Sequence, residues 1–384
     1  MPWLMLTDGN EAEIDIDDDL EDYCPQGNDN FDNLGENIMN IPNDYTRYML
    51  NFRFNRNKRY NFNLPELYGC ACWGSPYGWV VTLSLDRQMQ LFNPVTKTCL
   101  PLPSQGTFPG SWWRAKDKSI RDSFISKAVL VRVPSVNDSC VWLVVTIYGC
   151  NTRVAIAKPG DKTWLPLSWD INRVNDEEDD VLQTHVMALD DAIYCQSIRS
   201  LLFSDVEGGL FYCDLSDIEH PQRLKRYAVG PPNQGVTLAQ NKNVPRKWST
   251  TYIVESRGNI IVMIKDISII RQSVSSYAYN TTNFRVYKLD DSTKSVVELQ
   301  DLQGCAFFVG SNTSFSVSPR VAGCRSNCIY FCDDLRSWYT STKDKVGGHD
   351  MGVYSLEDDT VQFLYEGSQS RSSYCCPFWF SPSL

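Results

Sequence analysis

Gln90-Leu-Phe-Asn-Pro-Val-Thr-Lys-Thr-Cys-Leu-Pro-Leu102 consists of two short apolar runs around a polar Asn-Pro turn, the pattern of a β-hairpin. The same unit recurs along the chain. It is visible at residues 52–64, 154–166, 284–299 and 351–364, and more loosely from Gly209-Leu-Phe-Tyr-Cys-Asp-Leu215 to Leu224-Lys-Arg-Tyr227. The turn centres lie near residues 58, 96, 161, 217, 291 and 358. That spacing, about 40 to 75 residues, is compatible with four-stranded units carrying variable loops. Between the hairpins lie further β-branched and aromatic runs, at 78–83, 128–133, 141–148, 251–255 with 260–265, and 327–331, which would supply the inner strands. Long helical periodicity is absent. The expected fold is all-β, a single β-propeller of six blades, with seven possible. Tandem β-sandwiches would leave six similar hairpins in succession unexplained.

Working outward, composition changes sharply before the first hairpin. The chain has 384 residues and a formal net charge of −10. Residues 1–46 hold 13 acidic residues and no Lys or Arg, leaving 33 acidic against 36 basic residues in the remainder. The expected division is therefore an acidic, largely disordered arm at 1–46 and a nearly neutral propeller at 47–384. The run Asp15-Ile-Asp-Asp-Asp19 lacks the Gly and Glu that a calcium loop needs at its sixth and twelfth positions. Net acidity argues against nucleic acid as a partner. No apolar run approaches the ~20 residues of a membrane helix, and no signal-peptide pattern opens the sequence. The expectation is a cytoplasmic or nuclear protein. Its 14 cysteines then read as free, mostly buried thiols, with Cys99, Cys140, Cys195, Cys213, Cys328 and Cys332 in or beside strand-like runs.

The inventory for catalysis is thin. Only three histidines occur, and His185, His220 and His349 sit in a strand-like run, a turn and a Gly-Gly-His-Asp loop. Cys305, Cys324, Cys328 and Cys332 invite a zinc reading, but positions 328 and 332 of one strand lie about 13 Å apart, too far to share an ion. The acidic run Asp176–Asp180 reads as a solvated loop. No catalytic, cofactor-binding or metal-binding residue is assigned, and no cofactor is expected.

Pro2-Trp-Leu-Met-Leu6, Leu64-Pro-Glu-Leu67, Cys72-Trp-Gly-Ser-Pro-Tyr-Gly-Trp79, Leu91-Phe-Asn-Pro94, Phe307-Phe-Val-Gly-Ser-Asn-Thr-Ser314, Asn327-Cys-Ile-Tyr-Phe-Cys-Asp-Asp334, Asp350-Met-Gly-Val-Tyr354 and Trp379-Phe-Ser-Pro382 follow in an order that resembles the plant F-box and KIB-type β-propeller family. The resemblance spans almost the whole chain. It implies a substrate receptor of cullin-type (SCF) ubiquitin ligases, in which an F-box docks to the ligase adaptor and the propeller recruits a protein target, in some members a kinase. An F-box is a helical, leucine-rich module that would precede Pro2–Leu6, where this sequence begins. The expected activity is therefore target binding, with ubiquitination needing an F-box or equivalent adaptor from elsewhere.

Recognition by a propeller falls to its rim loops. Residues 105–123 carry Trp112, Trp113, Arg114 and Lys116, and residues 233–248 carry Lys242, Arg246 and Lys247. Aromatic and Arg side chains of this kind anchor interfaces, so these are the candidate partner-binding residues. The alternative is a propeller hydrolase or lyase, which requires ionisable side chains from several blades to meet at one channel mouth.

Overall fold

A computed structural model describes residues 2–7, 46–53, 56–109, 123–134, 140–169, 188–217, 223–231, 246–271, 277–335, 350–364 and 376–382. In chain order the strands are β1 (Trp3–Thr7), β2 (Thr46–Arg53), β3 (Arg56–Asn63), β4 (Ala71–Gly74), β5 (Val80–Leu83), β6 (Met89–Phe92), β7 (Cys99–Leu102), β8 (Ile125–Pro134), β9 (Cys140–Tyr148), β10 (Arg153–Ala157), β11 (Leu165–Leu167), β12 (Leu189–Cys195) and β13 (Ser200–Asp205). They continue as β14 (Gly209–Asp214), β15 (Lys225–Val229), β16 (Arg246–Ser256), β17 (Asn259–Arg271), β18 (Tyr277–Asp290), β19 (Ser295–Glu298), β20 (Ala306–Val309), β21 (Phe315–Val317), β22 (Cys328–Phe331), β23 (Gly352–Ser355), β24 (Thr360–Phe363) and β25 (Phe378–Phe380). Among the described residues one α-helical turn, Pro319–Ala322, and two 3-10 turns, Pro65–Leu67 and Gln105–Thr107, accompany them.

The described strands form six sheets. Sheet I has the order β25-β1-β2-β3, sheet II β4 to β7, sheet III β8 to β11, sheet IV β12 to β15, sheet V β16 to β19, and sheet VI β21-β20-β22-β23-β24. Sheet I draws one strand from the C-terminal end of the chain and three from the N-terminal end, with Leu4 opposite Trp379. Each sheet packs against two neighbours through a separate apolar cluster. Met5, Phe378 and Phe380 meet Cys72 and Phe92 between sheets I and II, and Trp73 and Leu91 meet Leu130 and Val144 between II and III. Clusters between III and IV, IV and V, V and VI, and VI and I complete the circuit. The fold is a single all-β propeller whose ring is closed by a β-ladder between its two ends. Burial falls from the axis outward, because inner strands such as β4 are covered on both faces while outer ones such as β19 and β24 are largely exposed.

The repeated hairpins are the two outermost strands of each sheet. Five lie where the sequence places them. The first does not: Arg53 already pairs with Arg56, and β3 runs straight through the expected turn near residue 58. An outermost strand tolerates polar residues, so the polar run there is strand rather than turn.

Two further expectations are corrected. Trp3–Thr7 belongs to sheet I, so the propeller begins before residue 47. Thr7 is also paired with Arg47, which makes residues 8–45 the connection between adjacent strands rather than a tail; their expected disorder lies outside the described residues. The cysteines follow the expectation: among the described residues 12 are free thiols and nine of these are buried, Cys195, Cys213, Cys328 and Cys332 among them, while Cys99, Cys140 and Cys150 are exposed.

Antiparallel pairing fixes where connections emerge. The start of each innermost strand and the link between the second and third strands share one edge, and cavity-lining residues at the starts of β8, β12 and β16 and after β22 put those edges on a common upper face. Every strand-to-strand connection of 14 residues or more leaves from that face: residues 8–45, 103–124, 168–188, 230–245, 332–351 and 364–377. On the lower face none exceeds 10.

Candidate functional site

An innermost strand has no neighbour on its axial side, so its backbone groups there need partners from elsewhere. Two devices supply them. The first is the loop Gly310–Ser314 between β20 and β21, which crosses the axis and touches four other sheets. Thr313 N donates to Gly74 O in sheet II at 3.0 Å, and Leu130 N in sheet III donates to Thr313 Oγ1 at 3.1 Å. Trp379 N of sheet I donates to Asn312 Oδ1 at 3.3 Å, and Ser314 Oγ donates to Asp191 Oδ2 of sheet IV at 2.7 Å. The loop fits because Gly310 has φ +146° and a Cβ there would lie 2.1 Å from Cys332 Sγ.

The second device is the pair Asp190-Asp191 at the start of β12. Asp190 Oδ2 accepts from Thr251 N at 2.7 Å and Asp191 Oδ2 from Ile253 N at 3.0 Å, satisfying alternate amides of β16. Asp191 Oδ1 lies 2.5 Å from Lys127 Nζ, which also donates to Gly310 O at 3.1 Å. Beside them Lys265 Nζ donates to Asp334 Oδ1 at 2.6 Å, and Tyr252 Oη donates to Asp334 Oδ2. Tyr279 Oη donates to Asp333 Oδ2 at 2.7 Å, and Thr281 donates through both N and Oγ1 to Asp350 at 2.7 Å. Among the described residues, five carboxyl groups thus face two ammonium groups in the interior.

That imbalance shows in proton affinity. Burial pushes the Asp190 carboxyl up to about 7, with Asp334 and Asp191 adding to the rise against Thr251 N and Lys127. Burial likewise raises Asp350 to about 6, helped by Asp333 and opposed by Lys265. For Lys265, burial alone would lower the affinity, but Asp334, Asp350 and Asp333 outweigh it and hold the ammonium above the ordinary lysine range. Tyr252 and Tyr279 are raised by burial and then by their aspartate partners, so both remain hydroxyl donors.

Above this network a cavity of about 150 Å³ opens at the upper mouth of the channel, walled by Lys127, Asp190, Trp248, Thr250, Asp334 and Leu335 among others. Ionisable groups from sheets III, IV and VI therefore converge at one mouth. Most of their contacts are structural: Asp334 is spent on Lys265 and Tyr252, Lys127 on Asp191 and Gly310 O, and Asp190 gives one oxygen to Thr251 N. Among the described residues no group of three or more His, Cys, Asp or Glu is placed to hold a metal ion.

The sequence-derived candidates fare unevenly. Trp112, Trp113 and Arg114 lie outside the described residues, as do His185, His220, His349 and the acidic run at 176–180. Arg246 opens β16 and Lys247 is exposed beside it, one residue from the cavity wall at Trp248. The interior charges were not singled out in the sequence. Their signal was a lysine beside apolar strand residues, Lys127 before Ala128–Val133 and Lys265 after Ile260–Ile264, since a buried ammonium requires a carboxylate.

Comparison with known proteins returns one family model, the KIB1-4 beta-propeller, over residues 51–355. A putative F-box protein of Arabidopsis thaliana is 23% identical over 322 residues, covering 81% of this chain and 76% of the relative. A second is 24% identical over 239 residues, 60% of this chain and half of the relative, and a third is 40% identical over 62 residues, 16% and 17% of the two chains. Among solved structures, the Cps50 (Swd1) β-propeller domain of Myceliophteria thermophila aligns over 84% of this chain and 83% of its own, at 10% identity and a TM-score of 0.35. Hsv2 of Kluyvelomyces marxianus aligns over 66% and 64%, at 10% identity and 0.28.

Proposed function

The chain belongs to the KIB1-4 β-propeller family, and from that premise we propose that it is a non-catalytic receptor that recruits a protein target. Each of its six sheets is read as one blade. The observation that carries the proposal is the asymmetry of the ring: the long connections gather on the upper face while the lower face has short turns. A rigid scaffold with variable loops on one side suits recognition of a macromolecule. The Arabidopsis relatives bear the name F-box protein, and the finer proposal follows from them. Joined to an F-box or an equivalent adaptor, the propeller would present its target, a kinase being one candidate class, to a cullin-type ubiquitin ligase in the cytoplasm or nucleus. A hydrolase or lyase is disfavoured because Asp334 at the mouth is engaged through both oxygens by Lys265 and Tyr252, which leaves Asp190 without a second free carboxylate to pair with.

The test is capture of a protein partner from plant-cell extract on the immobilised full chain. Lys247→Glu, on the upper face, should reduce capture several-fold. Lys162→Glu, an exposed lysine in the short turn between β10 and β11, should leave it unchanged. Equal effects of the two changes, or no partner enriched by folded bait, would sink the proposal.

A further inference from the structure

The cavity at the upper mouth has a feature that the structural network does not use. Asp190 gives one carboxylate oxygen, Oδ2, to Thr251 N. Its other oxygen, Oδ1, receives no hydrogen bond from the described protein groups, and the residue lines the cavity. The neighbouring charges are already matched: Lys127 by Asp191 and Gly310 O, Asp334 by Lys265 and Tyr252. Asp190 is thus the carboxylate at the wall without a cationic partner of its own. The wall also includes Trp248, half-buried and supplied by the segment that carries the exposed Lys247.

We propose that this cavity receives the cationic end of a lysine or arginine side chain presented by the recruited protein, with Asp190 as its counter-ion and Trp248 flanking its stem. The inference rests on the receptor reading above and narrows the partner to one that projects a basic side chain at the contact. Size agrees, since about 150 Å³ is the volume of a cavity that admits benzene, room for the head and last methylenes of either side chain. Charge agrees as well. An anion would meet Asp190 and Asp334 with no unmatched cation to hold it, whereas an ammonium or guanidinium supplies what the interior lacks. Indole beside a cation adds attraction of its own.

Protonation gives the inference a signature. The carboxyl of Asp190, raised by burial to about 7, must be ionised to pair with a cation, so the cation would bind more weakly as pH falls below 7. The other groups facing it are Lys127 from β8, Asp191 from β12, Tyr252 from β16, Lys265 from β17 and Asp334 after β22. Below about pH 7 affinity should drop roughly tenfold per unit, the slope of a single coupled proton.

The experiment titrates the full chain with acetyl-lysine methylamide, acetyl-arginine methylamide and the Nε-acetylated lysine derivative, following the indole N–H resonance of Trp248, assigned with Trp248→Phe. At pH 8 the two cationic probes should bind at least about tenfold tighter than the acetylated one. Asp190→Asn should abolish that preference, and at pH 6 the wild-type preference should shrink about tenfold. Equal binding of the three probes, no saturable shift, or a preference that survives in Asp190→Asn would overturn the inference. The wild-type pH series stands without any variant. Partner capture is scored separately: capture retained without cation preference rejects this cavity and leaves the receptor reading, while cation preference without capture does the reverse.

Discussion

At the scale of single residues, the axis is where substitutions should matter most. Gly310 combines a φ of +146° with a Cβ position 2.1 Å from Cys332 Sγ. Gly310→Ala should therefore cost about 2–4 kcal/mol, part backbone strain and part overpacking. A urea titration of Gly310→Ala alone and with Cys332→Ala separates the parts, because removing the sulfur relieves the clash and leaves the strain. If the second change restores nothing, the steric account is wrong. Asp190 gives a pH dependence whose sign is fixed by the direction of its shift. Its carboxyl holds a proton more tightly folded, near 7, than in the unfolded chain, near 3.8. The stability linked to that proton is complete below about pH 4 and is lost as pH rises through about 7. Asp190→Asn carries no such proton, so its stability relative to the wild type should climb between pH 4 and 7 and level off above, as read from denaturation midpoints. A difference that is flat with pH would mean Asp190 is not raised. The lysines of this network left a trace in the sequence, but their partners did not. Asp190-Asp191 and Asp333-Asp334 read like any acidic pair at a strand end, and only the closed ring brings them to lysines more than 60 residues away.

At the scale of elements, the sequence was far more informative, because a hairpin is a local object whose apolar runs and turn residues lie within some 15 positions. Five of the six hairpin turns were legible for that reason, and those between sheets II and V also act as latches. Lys97 in the turn of sheet II reaches Asn63 O at the end of β3 at 3.0 Å, and Gly160 N in the turn of sheet III donates to Pro101 O in β7 at 2.8 Å. Trp164 Nε1 donates to Pro103 O at 3.0 Å, and Tyr227 Oη at the outer strand of sheet IV donates to Asp291 in the turn of sheet V at 2.6 Å. The closing ladder was not legible, since nothing local links Trp3–Thr7 to Phe378–Phe380 across the length of the chain. Yet it ties the ring together: Leu4 and Trp379 are both fully buried, and Gly74 leaves room for the Trp379 carbonyl, which a Cβ would approach to 2.1 Å. Trp379→Ala should cost about 3–5 kcal/mol by truncating a buried aromatic side chain. Its distribution should be uneven. Hydrogen exchange should accelerate first in β1 and β25, with β13 and β14 of sheet IV changing least. Uniform acceleration across all sheets would show that the ladder is no weak point of the ring.

At the scale of the whole molecule, the charge asymmetry takes on a different meaning from the one composition suggests. All 13 acidic residues of the first 46 lie at positions 8–45, and that segment joins two strands already paired at Thr7 and Arg47. Composition finds such a segment but cannot say whether it hangs from an end or interrupts a sheet, because the strand before it is only five residues long and reads as a stray apolar patch. The pairing makes a specific prediction. Ends that are register partners need only a two-residue turn, and Asn-Gly supplies the positive φ values that such a turn requires. Replacing residues 8–46 by Asn-Gly should therefore leave the ring intact, with a thermal midpoint within a few degrees of the full chain. Shortening the loop lowers the entropy of the unfolded chain, a stabilising term that grows only logarithmically with loop length. Removing 13 like charges also removes their mutual repulsion, so any small shift should be upward and should fade as salt rises. An N-terminal tail would behave otherwise: deleting residues 1–45 whole takes β1 with it, exposes the edges of β25 and β2, and should destabilise the ring sharply. The two deletions measured side by side decide between the topologies. Equal midpoints would mean that Trp3–Thr7 contributes nothing to closure, and a collapse of the Asn-Gly chain would mean that the acidic segment holds the fold together.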